Sequence, residues 1–175
     1  VAVGILHERK GFQYLIKAAS VLKKQYDDVK FLIIGKDGGA GQQLKELTQQ
    51  LHVKNEVVFA GFLDFKSKLM AISEAEIFAI PSLVEPFGLV ALEGMAMGKA
   101  IIATEVDGLK EIFMDKQTAV LVRPRDSQHL AEKIIRILDD NDLRTQLSEN
   151  SSSEVLAYDW SKIVDGYTKL YCEII

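Results

Sequence analysis

The sequence alternates short apolar runs with longer segments of helical period, and this alternation restricts the possible folds more than any other feature. Six runs have the length and composition of strands: residues 1–4, 29–35, 56–60, 76–80, 100–104 and 119–122. Several are apolar at consecutive positions, as strands buried on both faces of a parallel sheet are. Strands that alternate with helices imply right-handed crossovers. The sequence therefore predicts an α/β protein with a doubly wound, Rossmann-like parallel sheet of about six strands and helices on both faces.

The last third of the chain carries only helical patterns. After residue 122, helical spacing of apolar residues covers 127–139, 141–149 and 160–174. We therefore expect a helical C-terminal tail. A length of 175 residues fits one domain over residues 1–175. The chain opens with Val1 inside a predicted strand, which indicates a piece of a longer protein.

Composition excludes several classes of protein. With 48% hydrophobic and 26% charged residues, the chain is globular and not disordered. The net charge is −4 and the basic residues are scattered, so no nucleic-acid partner is expected. No run approaches the ~20 apolar residues of a membrane span, so membrane contact is expected only through a full-length protein. The single cysteine, Cys172, is consistent with a reducing, cytoplasmic location and is expected to pack in the tail.

One strand-to-helix loop contains two of the three prolines in the chain. It reads Pro81-Ser82-Leu83-Val84-Glu85-Pro86-Phe87-Gly88, and Glu93 follows in the next helix. In open α/β sheets, ligands bind at the carboxyl ends of strands, and a helix N-terminus there offers free N–H groups to anions. Two carboxylates in this region can accept hydrogen bonds from the hydroxyl groups of an extended ligand. The alternative is that Glu85 is solvated and that Glu93 caps a helix or forms an ion pair within the fold.

Other loops on the same side of the predicted sheet offer weaker signals. Lys10 with Gly11 can place a positive charge for a phosphate in the crevice, although a solvated turn is the ordinary alternative. The loop 36–41 lacks the glycine order of a dinucleotide fingerprint or a P-loop. Asp107-Gly108 offers another helix start in the crevice, although this dipeptide is first of all typical of a turn. The three histidines show no ligand spacing, so no metal site is predicted.

Taken in order, these motifs resemble one family. Lys10-Gly11, the strand ends at Gly35 and Gly61, and the Glu85–Glu93 pair are similar to the C-terminal, donor-binding domain of retaining GT-B glycosyltransferases of the glycosyl transferases group 1 family. Further matches are Gly98-Lys99, Gly108 with Glu111, and Trp160. The resemblance covers essentially the whole chain. It implies one half of a GT-B fold, with the N-terminal acceptor domain absent from this chain.

The resemblance also implies roles for individual residues. Lys10 and Glu85 would be the catalytic residues: Lys10 would neutralise the diphosphate leaving group, and Glu85 would contact hydroxyl groups of the transferred sugar. The donor-binding residues would be Gly61, Phe62, Pro86, Phe87, Gly88, Leu89 and Glu93. Of these, Gly61 and Phe62 would flank the base and Glu93 would bind the ribose.

The reaction implied by the resemblance is transfer of a hexosyl group, with retention, from a UDP- or GDP-sugar to an acceptor hydroxyl. Such enzymes need no bound metal or other cofactor, because cationic side chains and a helix N-terminus offset the charge of the departing diphosphate. Without its acceptor domain, the isolated chain is expected to bind nucleotide weakly and to be nearly or fully inactive.

One departure from the family pattern opens an alternative function. The family has Gly-Arg-Leu after the first strand, whereas this chain has Gly4-Ile5-Leu6, with Arg9 as a candidate substitute cation. The alternative is therefore a non-catalytic nucleotide-sugar-binding or assembly module. A flavodoxin-like regulatory domain would need an acidic cluster after the first strand, where Glu8 stands alone.

Overall fold

A computed structural model describes residues 1–174, in which strands and helices alternate. The strands of this part of the chain are β1 (Ala2–Val3), β2 (Phe31–Ile34), β3 (Val57–Gly61), β4 (Ile77–Ile80), β5 (Ala100–Thr104) and β6 (Val120–Val122). The helices are α1 (Phe12–Leu22), α2 (Gly41–Gln50), α3 (Phe65–Ser73), α4 (Leu89–Ala96), α5 (Asp107–Ile112), α6 (Ser127–Asp139), α7 (Asn141–Glu154) and α8 (Trp160–Ile174). The predicted α/β class and its strands are confirmed.

The strand order places a crevice between β1 and β4. Two parallel sheets have the orders β1-β2-β3 and β4-β5-β6. Val1 connects them, because its amine donates to the Ile77 carbonyl at 2.7 Å and its carbonyl accepts from the Ala79 N–H at 2.8 Å. The resulting order, β3-β2-β1-β4-β5-β6, is that of dinucleotide-binding folds and differs from the flavodoxin-like order. Successive strands are added towards one edge of the sheet from β1 to β3 and towards the other edge from β4 to β6. Folds of this kind bind ligands at the point where the strand order switches, between β1 and β4.

The sheet is buried on both faces. All five residues of β5 are buried. Ala100 and Ile102 pack into one hydrophobic core, and Ile101 and Ala103 pack into a second core on the opposite face. Because side chains alternate along a strand, a strand covered on both sides must be apolar at every position. This explains why the strands could be recognised as continuous apolar runs.

Helix α7 extends beyond its predicted end, through the serine-rich stretch 150–153. Serine is a mediocre helix former, and the polar run therefore did not extend the predicted helix beyond residue 149. In the fold, the Ser148 hydroxyl donates to the Gly98 carbonyl at 2.6 Å and the Ser151 hydroxyl donates to the Lys99 carbonyl at 3.3 Å. These carbonyls follow the end of α4. The serines are thus helical because a neighbouring segment supplies their partners.

The helical tail is confirmed, but its surroundings differ from expectation. None of the described residues of α8 is buried. Its large apolar side chains are exposed, namely Trp160, Val164, Tyr167, Leu170, Tyr171 and Ile174. Cys172 is exposed as well, so the expectation that it packs is wrong. Within residues 1–174, the structure contains no helix with both the length and the apolar character that crossing a membrane requires.

The buried amine of Val1 predicts a pH-dependent stability for a polypeptide that starts at this residue. Burial, with a smaller effect of the Lys99 charge, lowers the pKa of this amine from 8.0 to about 5. Between those values the unfolded chain binds a proton that the folded chain does not, so the free energy of unfolding rises with pH. It levels off above pH 8. The total rise is about 4 kcal/mol, at ~1.4 kcal/mol per pKa unit, and urea unfolding from pH 5 to pH 8 measures it.

Acetylation of the Val1 amine is the matched control for this effect. An acetylated Val1 keeps its N–H donor for the Ile77 carbonyl but has no proton to titrate. We expect the acetylated chain to lose most of the rise in stability. An equal rise in both forms would show that other groups cause it.

Candidate functional site

The crevice between β1 and β4 contains a mostly buried ion pair. The Lys10 Nζ lies 2.6 Å from the Glu85 Oε2, and the two side chains are only 17% and 9% exposed. The Ser82 hydroxyl donates to the same oxygen at 3.2 Å. Lys10 follows β1 and Glu85 follows β4, so the strand order brings together two residues that are 75 positions apart. The structure thus joins both residues that the resemblance identifies as catalytic.

Backbone contacts hold the two loops of this pair against each other. The Arg9 carbonyl accepts hydrogen bonds from the N–H groups of Leu83 at 2.7 Å and Val84 at 3.4 Å. Gly11 has a φ of +69°, and a Cβ atom at this position would lie closer than 3.0 Å to the Pro81 carbonyl oxygen. Only glycine combines this left-handed conformation with so close an approach. The contacts of Arg9 and Gly11 with the opposite loop therefore fix the backbone on both sides of Lys10.

A second glycine supports the Glu85 loop from the other side. The Gly108 N–H donates to the Glu85 carbonyl at 3.1 Å. A Cβ atom on Gly108 would approach the Glu85 and Pro86 carbonyl oxygens to less than 3.0 Å. The Thr104 hydroxyl also donates to the Ser82 carbonyl. The predicted helix start at Asp107-Gly108 is thus present, as α5, and it positions the backbone of the loop.

The N-terminus of α4 opens next to the ion pair. Its N-cap is Gly88, with a φ of +95°, and no side chain caps the helix. The first N–H groups of a helix have no partner within it, so they remain available to an anion. Pro86, Phe87 and Leu89 are exposed around this helix start. The loop therefore presents backbone donors at the carboxyl edge of the sheet.

Phe87 connects this loop to the start of the tail. Its ring packs edge-to-face on Tyr158, with 6.3 Å between the ring centroids. Tyr158 belongs to the short 3-10 helix Val155–Tyr158 that precedes α8. Burial, together with the nearby negative charge of Glu154, raises the pKa of Tyr158. No sequence pattern predicts this contact, because an aromatic pair between two distant segments has no periodicity.

Glu93 belongs to a different ion pair. Its Oε1 accepts a hydrogen bond from the Lys68 Nζ at 2.6 Å, and the side chains of Lys68 and Glu93 are 19% and 28% exposed. Lys68 lies on α3 and Glu93 on α4. Sequence reasoning did not single out Lys68, since it stands among other polar residues at the start of its helix. The ion-pair alternative for Glu93 therefore describes the contact that it makes in this structure.

Two exposed aromatic rings follow the carboxyl end of β3. Phe62 and Phe65 are 66% and 68% exposed. The Lys36 Nζ lies 4.5 Å from the centroid of the Phe62 ring, which is a cation–π distance. Gly61 has a φ of +69° and open space beside its Cα. These residues leave room for a flat ligand group next to Phe62.

The position that departs from the family pattern lies in the same region. Ile5 follows β1 and is 51% exposed. Its Cγ2 is close to Gly38, in the loop after β2. The Asp37 carboxylate accepts hydrogen bonds from the N–H groups of Gly41 and Gly39, which lower the pKa of Asp37 and fix that loop. Ile5 thus contributes an apolar surface where the resemblance predicts a cation.

The candidate site has exposed side chains beside it, Phe87 and Leu89 among them. A cavity of about 760 Å³ lies near the amino ends of β2 and β4. Its lining includes Val29, Phe31, Glu74 and Ile77, and it includes none of the predicted site residues. In α/β sheets of this kind, ligands bind at the carboxyl ends of the strands. We therefore place the candidate site at the Lys10–Glu85 crevice and not at this cavity.

Comparisons with known proteins agree on one family. A family model described as "Glycosyl transferases group 1" matches residues 1–154. Alpha-D-kanosaminyltransferase from Streptomyces kanamyceticus is 32% identical over 173 residues, which are 98% of this chain and 45% of that protein. Sucrose-phosphate synthase from Thermosynechococcus elongatus superposes with a TM-score of 0.86 at 32% identity, covering 99% of this chain and 45% of that chain.

A third comparison is with a single domain. The C-terminal domain of a glycosyl transferase group 1 family protein from Francisella tularensis has a TM-score of 0.80 at 30% identity. The match covers 89% of this chain and 84% of that domain. By contrast, the chain spans less than half the length of the curated relatives it matches. Its similarity is therefore to the C-terminal half of longer proteins.

Proposed function

Because the chain belongs to the glycosyl transferases group 1 family and has the fold of one half of a GT-B enzyme, we propose that it binds the donor of a retaining glycosyltransferase. The donor is a UDP- or GDP-sugar, and the enzyme transfers its hexosyl group to an acceptor hydroxyl. One observation carries the proposal. The Lys10–Glu85 pair and the uncapped N-terminus of α4 lie together at the topological switch point.

In this proposal each part of the crevice meets one part of the donor. Lys10 offsets the negative charge of the diphosphate as it departs. The N–H groups near Phe87, Gly88 and Leu89 bind phosphate oxygens. Glu85 accepts hydrogen bonds from hydroxyl groups of the transferred sugar, while Ser82 and Lys10 hold its carboxylate in place.

Glycosyl transfer with retention follows from attack on the face that the leaving group occupies. The bond between the anomeric carbon and the phosphate oxygen breaks as the acceptor oxygen bonds to that carbon. The departing phosphate takes the proton of the acceptor hydroxyl. No step in this proposal uses a metal, because Lys10 and the α4 N-terminus stabilise the developing charge.

The remaining partner in the proposal is an acceptor domain from the rest of a full-length protein. Residues 86, 87 and 89 are exposed beside the crevice. The apolar face of α8 is exposed as well. An acceptor domain that covers the crevice excludes water and positions the acceptor. This explains why the isolated chain is expected to be nearly or fully inactive.

A non-catalytic binding module is the second candidate, favoured by Ile5. The arginine that the family pattern has is replaced by isoleucine at this exposed position. Loss of one charge-assisted contact weakens the binding of a diphosphate. Both candidates bind a nucleotide-sugar, and only one transfers the sugar. A transfer assay on the full-length protein separates them.

Calorimetric titration with UDP, GDP and ADP tests donor binding by this chain. We expect weak but measurable binding of UDP or GDP. Glu93→Ala should reduce it roughly tenfold, as expected for the loss of a charge-assisted hydrogen bond to the ribose. Glu149→Ala, which removes an exposed carboxylate on α7, should leave it unchanged. Absence of binding for both UDP and GDP would contradict the proposal.

A further inference from the structure

We propose that Lys68 is a positioning residue for the ribose of the donor. It holds the Glu93 carboxylate through one oxygen and leaves the other oxygen to accept hydrogen bonds from ribose hydroxyl groups. This inference rests on the proposed function, in which Glu93 binds the ribose. Neither the sequence motifs nor the relatives assign any role to Lys68.

The geometry of the Lys68–Glu93 pair suits this role. The Lys68 Nζ approaches the Glu93 Oε1 to 2.6 Å. Within the part of the chain that the structure describes, no hydrogen bond to the Glu93 Oε2 is recorded. Each carboxylate oxygen has about two acceptor sites. With side-chain exposures of 19% and 28%, the pair lies at the surface, where a ligand can reach it.

Lys68 is itself held in place by its own helix. The Asp64 carboxylate caps α3 by accepting a hydrogen bond from the Ser67 N–H at 3.0 Å. One turn into the helix, the Lys68 Nζ lies 5.4 Å from the centroid of the Phe65 ring. Residues three apart on a helix are neighbours, so the ring restricts the lysine side chain. The ammonium group is therefore oriented towards Glu93 before any ligand arrives.

The charge of Lys68 has a second effect on the donor. A nucleotide-sugar carries a negatively charged diphosphate, and in the proposed binding mode an unpaired carboxylate at the ribose repels it. Lys68 neutralises Glu93 without occupying its second oxygen. Removing this lysine should therefore weaken diphosphate binding and leave Glu93 free to rotate away from the ribose. Lys68 acts through Glu93, which makes it a positioning and not a catalytic residue.

The test compares nucleotides that differ in one ribose hydroxyl. The dissociation constants of UDP and GDP and of their 2′-deoxy and 3′-deoxy forms are measured for the wild type, Lys68→Met, Lys68→Arg and Lys66→Met. Lys66 is an exposed lysine on the same helix and serves as the control. For the nucleotide that the wild type binds, we expect a preference for ribose of roughly tenfold. Lys68→Met should reduce this preference to about twofold and weaken binding roughly tenfold.

Each outcome of this test has one meaning. Lys68→Arg should restore most of the ribose preference, and Lys66→Met should not change it. If the wild type binds neither UDP nor GDP, the proposed function fails. If the wild type binds but Lys68→Met keeps the full ribose preference, only the role of Lys68 is overturned. Because the preference is a ratio of two constants for one variant, a partly unfolded population does not alter it.

Discussion

Gly11→Ala is expected to destabilise the fold by about 4 kcal/mol or more, which is at the extreme of single substitutions. Gly11 has a φ of +69°, and an added Cβ would lie closer than 3.0 Å to the carbonyl oxygen of Pro81. That oxygen belongs to the backbone of the proline-containing loop and has little freedom to move. Urea unfolding of the variant and the wild type measures the loss.

Gly61→Ala is the matched control for this substitution. Gly61 has the same φ of +69°, but an added Cβ would meet open space. An alanine here should lower the free energy of unfolding only by the cost of placing a residue with a Cβ atom in the left-handed conformation, about 1–2 kcal/mol. The difference between the two variants isolates the contact between the Gly11 and Pro81 loops. Equal losses of stability would show that the loops do not approach each other as described.

Lys10→Met is expected to cost about 3 kcal/mol of stability and to abolish nucleotide binding. The variant leaves the Glu85 carboxylate, which is 9% exposed, with the Ser82 hydroxyl but without its cation. Removing one partner of a buried ion pair leaves an uncompensated charge, and this costs several kcal/mol. Urea unfolding measures the stability, and calorimetry with UDP and GDP measures the binding.

Two further variants separate the structural role of the pair from its proposed function. Lys10→Met combined with Glu85→Gln removes both charges, so most of the stability should return while nucleotide binding stays lost. Arg123→Met breaks an ion pair with Asp126, in which the Arg123 side chain is 70% exposed and the Asp126 side chain 30% exposed. This change should cost less than ~1 kcal/mol of stability. If Lys10→Met lowers the free energy of unfolding no more than Arg123→Met does, the Lys10–Glu85 pair does not contribute the stability that its burial implies.

Sequence patterns predicted an element well where all of its residues are buried. They predicted it poorly where contacts with another segment determine its structure. The strand Ala100–Thr104 was predicted with its observed ends, because all five of its side chains are buried. The serine-rich end of α7 was missed, because the Ser151 and Ser152 hydroxyl groups donate to the Lys99 and Met95 carbonyls, which belong to another segment. Cys172 was expected to pack, yet it lies on a helix with no buried residue in the described chain.

The class of fold, the order of its elements and the edge of the sheet at which a ligand is expected could all be predicted from the amino-acid sequence. These follow from the spacing of apolar residues and from the loops after each strand, which are local properties. The pairing of charged side chains, in contrast, is known only from the three-dimensional fold. Lys10 pairs with Glu85 across 75 residues, and Lys68 pairs with Glu93 across 25. Such pairings depend on the spatial order of the strands and on how α3 and α4 pack beside each other, and periodicity does not encode either.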